Sequence, residues 1–279
     1  FPGHKNYGDI TTIKPETLPD FELLGEDFHA NRFPSPETGK DSLTEEDISF
    51  LTSQGLLSQK ACLSAALELK GLLSHDKGET FKTIITALDE LGYDCQWQVL
   101  NSKHFGLAQN RQRVYIVGHL RGKPRPEVFP LEGANKKPCV QTQEKEEHTE
   151  TYPTLKIREA TQTGYAVASV GDSIDVSFPT STMRRGRIGR QIAHTLITGM
   201  QLYTLTRGRK LRRLTPLECE RLQGFPDSWT RHGRDNDGKV VEMSDRQRYK
   251  CLGNAVSVPI IRSIAMKLKG AGFELTGQK

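Results

Sequence analysis

The stretch Gln109-x-Arg111-x-Arg113 carries three polar groups at alternating positions, and the apolar run Val114-Tyr115-Ile116-Val117 follows it directly. In an extended chain residues i and i+2 share a face, so one amide and two guanidiniums point the same way as they enter a hydrophobic strand. That placement costs free energy unless the groups bind something or are balanced by internal salt bridges. A second concentration of chemistry lies between residues 176 and 217, which hold nine Lys or Arg residues and no Asp or Glu. They are Arg184, Arg185, Arg187, Arg190, Arg207, Arg209, Lys210, Arg212 and Arg213. The whole chain is only +5, so positive charge is gathered here. A one-sign block suits either a solvated basic face or a polyanionic partner. Gly186 and Gly189 among the arginines favour nucleic acid, because glycine lets a phosphate or base edge approach the backbone. No aromatic series interleaves with the block, which favours a duplex over a single strand.

The elements that must position these groups are legible in part. Thr215, Pro216 and Glu218 form a helix start, with a hydroxyl N-cap, proline at the first helical position and a carboxylate that can reach back to the cap. Gly224 and Pro226 stop that helix. Phe81, Ile84, Ile85, Leu88 and Leu91 recur at helical spacing and Gly92 ends them. The runs 95–101 and 113–120 read as strands, and YAVASV, SIDVSF and YTLT predict a small β-rich second domain around the arginine block. A Gly253-Asn254 turn leads through Pro259 into a last helix burying Ile260, Ile264 and Leu268. The region 120–152 is rich in proline and charge and reads as a linker or variable loop, and 231–242 as another polar loop. Before residue 70, Ser42 with Glu45 and Thr44 with Asp47 look like capping boxes, and Ile48, Leu51, Ala65, Leu67 and Leu69 suit helices.

With 279 residues there is room for one large domain or two modest ones. A mean hydropathy of −0.56 is on the polar side. No apolar run approaches the ~20 residues that span a bilayer, and no signal peptide is visible. Cys62, Cys95, Cys139, Cys219 and Cys251 are odd in number, scattered and without a CxxC pair. They predict neither a disulfide framework nor a metal site, and they suit a reducing cytoplasm. The chain opens FPGHKN, without methionine, and reads as a fragment truncated at its N-terminus.

Three blocks in order, GLAQNRQRVYIVG (106–118), RRLTPLECERLQGFPDSW (212–229) and LGNAVSVPI (252–260), resemble the C5 DNA cytosine methyltransferase family of bacterial restriction-modification systems. GDITTI (8–13) resembles a further motif of that family. The resemblance implies a Rossmann-like α/β domain, partial here, that binds S-adenosylmethionine, with a small β-rich target-recognition domain. Its domains would be 1–134, 135–243 and a return to the catalytic domain over 244–279. It also implies a double-stranded DNA substrate whose target cytosine is flipped out. Carried onto this sequence, Arg113 with Arg111 in support would hold the cytosine O2 or a nearby phosphate. Asp9, Ile10, Asn254 and Val256 would hold the cofactor. Arg184, Arg185, Arg187, Arg190 and Gln191 would read the major groove beside the Thr195-Leu196 pair, and the helix at Thr215 would brace the small domain.

The family's cysteine nucleophile, in Pro-Cys-Gln, attacks C6 of the ring, and the glutamate of Glu-Asn-Val engages N3. Both should fall within residues 25–71, and neither is there; Cys62, in QKACLSA, matches nothing and reads as a bland thiol. The Gly-rich cofactor loop is also absent. The genetic code offers a reason: codons for FHANRFP, read one base earlier, can encode Phe-Pro-Cys-Gln-Pro-Phe-Ser. Residues 26–69 therefore read as an approximately out-of-frame segment between compensating frame changes, expected to pack poorly. A chain without the thiolate and glutamate transfers no methyl group by itself. The alternative is a non-catalytic recognition subunit of a split enzyme, with a second chain supplying the cofactor loop and the nucleophile.

Overall fold

The computed structural model describes residues 23–28, 64–69, 73, 75–123, 125–133, 152–177, 179–199, 201–235 and 238–270. Asp9, Ile10, Cys62 and the two expected capping boxes lie outside the described residues. The chain divides into two units: Phe1–Val99 with Arg113–Leu131 and Ser263–Lys279, and Leu100–Gln112 with Glu132–Arg262.

Five strands precede the variable region: β1 (Leu23–Phe28), β2 (Ser64–Leu69), β3 (Tyr93–Asn101), β4 (Gln109–Asn110) and β5 (Gln112–Leu120). In the first unit β1, β2, β5 and β3 form one sheet in that order, with β1 and β2 parallel and β5 antiparallel to β2. Helix α1 (Glu79–Glu90) covers it. Its Ile84 and Leu88 pack with Tyr93, Val114 and Ile116, flanked by Phe81, Ile85, Leu91, Cys95, Val99 and Leu120. That is the stripe the 3.6-residue period predicts, and each fully buried aliphatic contributes ~1.5–3 kcal/mol. Gly92 follows the helix at φ +84°, a left-handed conformation that glycine adopts without strain.

Two expectations are corrected here. Ala65, Leu67 and Leu69 stand in strand β2, not in a helix. Strand β5 is buried from Arg113 to His119, so its N–H and C=O groups need strand partners on both sides, and that demand overrides local propensity. The described part of the expected linker is fastened rather than loose. Gln96 donates from Nε2 to the Pro126 carbonyl at 2.8 Å and accepts the Val128 N–H at 3.0 Å, while Gln98 accepts the Leu131 N–H at 2.8 Å.

The second unit is β-rich. Strands β6 (Leu155–Arg158) and β7 (Tyr165–Ala168) pair as a hairpin. Strands β8 (Ser173–Asp175), β9 (Ile188–Gly189), β11 (Leu202–Leu205) and β12 (Leu211–Arg213) form a sheet in the order β12-β11-β8-β9, while the intervening β10 (Ala193–His194) pairs with β4. Helix α2 (Pro216–Gln223) follows. The expected polar loop at 231–242 contains a hairpin, β13 (His232–Arg234) with β14 (Val240–Glu242). Gly238 at φ +78° and the Asp235 carboxylate, which accepts the Lys239 N–H at 2.8 Å, close it. Helix α3 (Asp245–Gly253) places Tyr249 and Leu252 in one apolar cluster with Ala193, Leu196, Leu202, Leu214 and Cys219. The division between the two units falls between Arg262 and Ser263, inside helix α4 (Val258–Gly270). Among the described residues no single helix is long and apolar enough to cross a membrane, and no group of three or more potential ligands could hold a metal.

Candidate nucleic-acid interface

The loop that carries Gln109 and Arg111 is folded on itself. Asn101 caps a 3-10 turn, Ser102–Phe105, by accepting the Lys103 N–H at 3.2 Å, and Gly106 leaves the turn at φ +84°. Ser102 closes the loop twice: its hydroxyl donates to the Gln109 carbonyl at 2.6 Å, and its N–H donates to the Arg111 carbonyl at 3.0 Å. The alternation read from the sequence is present in burial. Gln109, Arg111 and Arg113 are 0%, 1% and 7% exposed, while Asn110 and Gln112 face solvent.

Gln109 is a clamp. Its Nε2 donates to the Leu222 carbonyl at the end of α2, at 2.9 Å, and its Oε1 accepts the Leu196 N–H at 3.1 Å. Thr195 donates from its hydroxyl to the Asn110 carbonyl at 3.0 Å. Between them β4 and β10 pair in parallel, Ala193 with Gln109 and His194 with Asn110. The polar motif at 109–111 and the Thr195-Leu196 pair within the arginine block are thus one hydrogen-bonded assembly.

Helix α2 starts as its sequence predicts. Thr215 and Glu218 complete a capping box, and Arg212 grips Glu218 with two hydrogen bonds of 2.8 and 2.7 Å. The Arg212 guanidinium, with the Thr215 donors, outweighs partial burial and holds the Glu218 carboxyl at about 2. Gly224 sits at φ +82°, and a Cβ there would meet the Pro259 ring at 2.7 Å, so only glycine fits. Behind the helix Glu220 is fully buried. It accepts the Ser228 N–H at 2.7 Å, the Thr230 N–H at 2.8 Å, the Thr230 hydroxyl and the Arg248 guanidinium at 3.1 Å. Burial pushes the Glu220 carboxyl up, and these donors together bring it below the ordinary value.

The arginine block divides. Arg184 is held by Asp175; burial raises that carboxyl, and the Ser177 and Arg184 partners lower it by more. Arg185 is exposed and donates from Nε to the Ala160 carbonyl at 2.9 Å. Arg190 is exposed, 3.8 Å from Asp172. Gln191 is exposed at φ +52°, its N–H held by Asp172 at 3.3 Å. Arg187 departs from the expected reading role: it is 3% exposed and donates to the Ser177 carbonyl at 2.8 Å, so it serves the interior. Leu196 is likewise 1% exposed; its side chain is core and its contribution is the N–H to Gln109. Gly189 has an internal reason as well, since a Cβ there would meet the Ile192 carbonyl at 2.1 Å.

Of the expected cofactor residues, Asn254 is exposed as the C-cap of α3 and Val256 is half-buried. Gly253, the last residue of α3, is required, because a Cβ would meet the Thr198 nitrogen at 2.4 Å. Sequence reasoning missed the carboxylates that organise the unit, Glu159, Asp172, Asp175 and Glu220. They are single acids without a motif, and their only signal is that the nearby excess of arginine needs internal partners.

The model of the C-5 cytosine-specific DNA methylase family matches residues 68–270. Type II methyltransferase M.HaeII of Haemophilus aegyptius is 32% identical, over 94% of this chain and 78% of that protein. M.SsoII of Shigella sonnei is 30% identical, over 95% and 69%, and M.NlaX of Neisseria lactamica 28%, over 98% and 83%. The fold is that of the Dnmt2 methyltransferase from S. pombe, with a TM-score of 0.54 at 16% identity, covering 96% of this chain and 85% of that one. This chain therefore belongs to the C5 cytosine-specific DNA methyltransferases, a family whose members use S-adenosylmethionine.

Proposed function

We propose that this chain recognises a specific sequence in duplex DNA through its second unit, binds S-adenosylmethionine, and lacks methyl transfer of its own. The observation that carries the recognition reading is the clamp of Gln109 on Leu196 and Leu222. It builds the polar strand at Gln109 and the arginine-bearing insert into one assembly, as a surface that must seat a base beside its reading loop requires. Arg184, Arg185, Arg190, Gln191 and Thr195 supply the DNA-facing groups, and Arg111 and Arg113 the groups that meet the cytosine. Exposed arginines that neutralise phosphates make such binding weaken steeply as salt rises.

S-adenosylmethionine, when bound, supplies the methyl group. Asn254 and Val256 would help to hold it. Ser257, next to Val256, keeps a fully buried hydroxyl with no hydrogen-bond partner among the described residues. An orphaned buried group of this kind suits a polar ligand atom.

The loss of transfer rests on the residues after β1. His29-Ala30-Asn31 stand where the family resemblance puts the Pro-Cys-Gln nucleophile, so no thiolate attacks C6. The test is incubation of the full chain with duplex DNA and methyl-labelled S-adenosylmethionine. Salt-sensitive DNA binding without labelled 5-methylcytosine is expected, and label in the DNA overturns the reading. Restoration of transfer by a second chain carrying Pro-Cys-Gln would identify this chain as the recognition subunit of a split enzyme.

A further inference from the structure

Among the large hydrophobic side chains of the described residues, Met183 is the most exposed, at 85%, against 61% for Met266 and 57% for Val240. It stands at the tip of the loop that precedes the arginine block, in Thr182-Met183-Arg184-Arg185-Gly186. The described residues on either side of it are held by hydrogen bonds. The Arg184 carbonyl accepts the Ala160 N–H at 2.9 Å, and the Arg184 side chain is tied to Asp175. Arg185 donates to the Ala160 carbonyl, and the Gly186 carbonyl meets the His194 ring at 2.7 Å. The Arg187 N–H reaches the buried Glu159 carboxylate at 2.7 Å. Gly186 turns the chain at φ +66° with open space where a Cβ would stand. Hydrogen bonds thus fix the backbone at Arg184, Gly186 and Arg187, and one bare thioether side chain is held out in water beside Arg184 and Arg185.

An unbranched apolar side chain gains by leaving water, and methionine adapts its shape to an irregular apolar surface. On duplex DNA the apolar feature of the major-groove edge is the C5-methyl group of thymine, which protein side chains read by contact rather than by hydrogen bonding. We propose that Met183 is a specificity-determining residue that packs on a thymine methyl group in the recognition sequence. This inference rests on the reading of the second unit as the DNA-recognition surface.

The experiment is selection of bound duplexes from a randomised pool by the full-length wild-type chain, by Met183→Gln and by Met183→Leu, followed by binding measurements on the selected site with each thymine replaced in turn by uracil. Uracil keeps the pairing and removes only the methyl group. The wild type is expected to select a site containing thymine and to bind about fourfold more weakly when one particular thymine becomes uracil, the equivalent of ~0.8 kcal/mol for one methyl group's burial. Met183→Leu should keep that sensitivity. Met183→Gln should lose both it and the thymine preference at that position, while selecting the rest of the site unchanged. A selected site without thymine, or equal uracil sensitivity in wild type and Met183→Gln, overturns the role of Met183 and leaves the recognition reading intact. A wild-type chain that enriches no sequence overturns both.

Discussion

The two units are held together by different physics. In the first, Ile84, Leu88, Val114 and Ile116 form a continuous apolar core between one helix and one sheet, and its stability is spread over many weak contacts. In the second, apolar clusters are threaded by buried, hydrogen-bonded polar groups: Gln109 joins α2 to Leu196, Glu159 holds the Arg187 N–H, and Glu220 collects two backbone N–H groups, a hydroxyl and a guanidinium. An apolar core tolerates one imperfect neighbour. A polar network does not, because removing one member leaves the others desolvated and unpaired.

That contrast can be broken experimentally. The largest effect is expected at Glu220→Ala, which takes the buried carboxylate from the mostly buried Arg248 guanidinium, leaving it the Thr230 hydroxyl and the more distant Asp245, and should lower stability by ~3–5 kcal/mol in urea unfolding. Replacing both charges, Glu220→Leu with Arg248→Met, should cost less than the single change, since no buried charge is stranded. A double variant as unstable as the single one would show that packing, not charge pairing, matters there. Next comes Gln109→Ala, which orphans the Leu196 N–H and the Leu222 carbonyl and should cost ~1–3 kcal/mol. Its DNA affinity should fall even where the protein remains folded, because the Thr195-Leu196 segment loses its anchor; unchanged affinity would separate the clamp from recognition. The smallest effect concerns the capping box. Because Glu218 is held at about 2 against an ordinary 4.5, the stabilisation it gives is complete above pH 4.5 and is lost as pH falls toward 2. Glu218→Gln should flatten the stability–pH curve in that window and lower neutral-pH stability by ~1 kcal/mol.

The same contrast explains what was legible in the sequence. The stripe Ile84–Ile85–Leu88, the cap at Thr215, the stops at Gly92 and Gly224 and the alternation 109-111-113 are local patterns whose physics acts within a few residues, and all of them stand as read. Strand β2 was not legible as a strand, because its conformation is imposed by the buried β5 rather than by its own residues. The interior role of Arg187 was hidden for a related reason. Nothing near it in sequence distinguishes it from Arg185, and the difference is made by Glu159 and Ser177, which reach it from other strands. Leu196 was read for the family position it occupies, and its side chain proved to be core while its backbone did the connecting. The hairpin at 232–242 carried a turn signal, Asp-Asn-Asp-Gly, that its surrounding charge concealed.

The two-residue parallel ladder between Gln109–Asn110 and Ala193–His194 has a consequence for how such a molecule can change. A parallel pair asks nothing of the long stretch between its partners except that it deliver both ends, and lengthening an already long connection costs little: each doubling adds only ~0.6 kcal/mol. Insertions, deletions or an exchanged loop can therefore be absorbed upstream of Ala193 while the fastening at Gln109 stays as it is. Two residues of ladder are enough to hold one end of a segment whose length and sequence are left free to change.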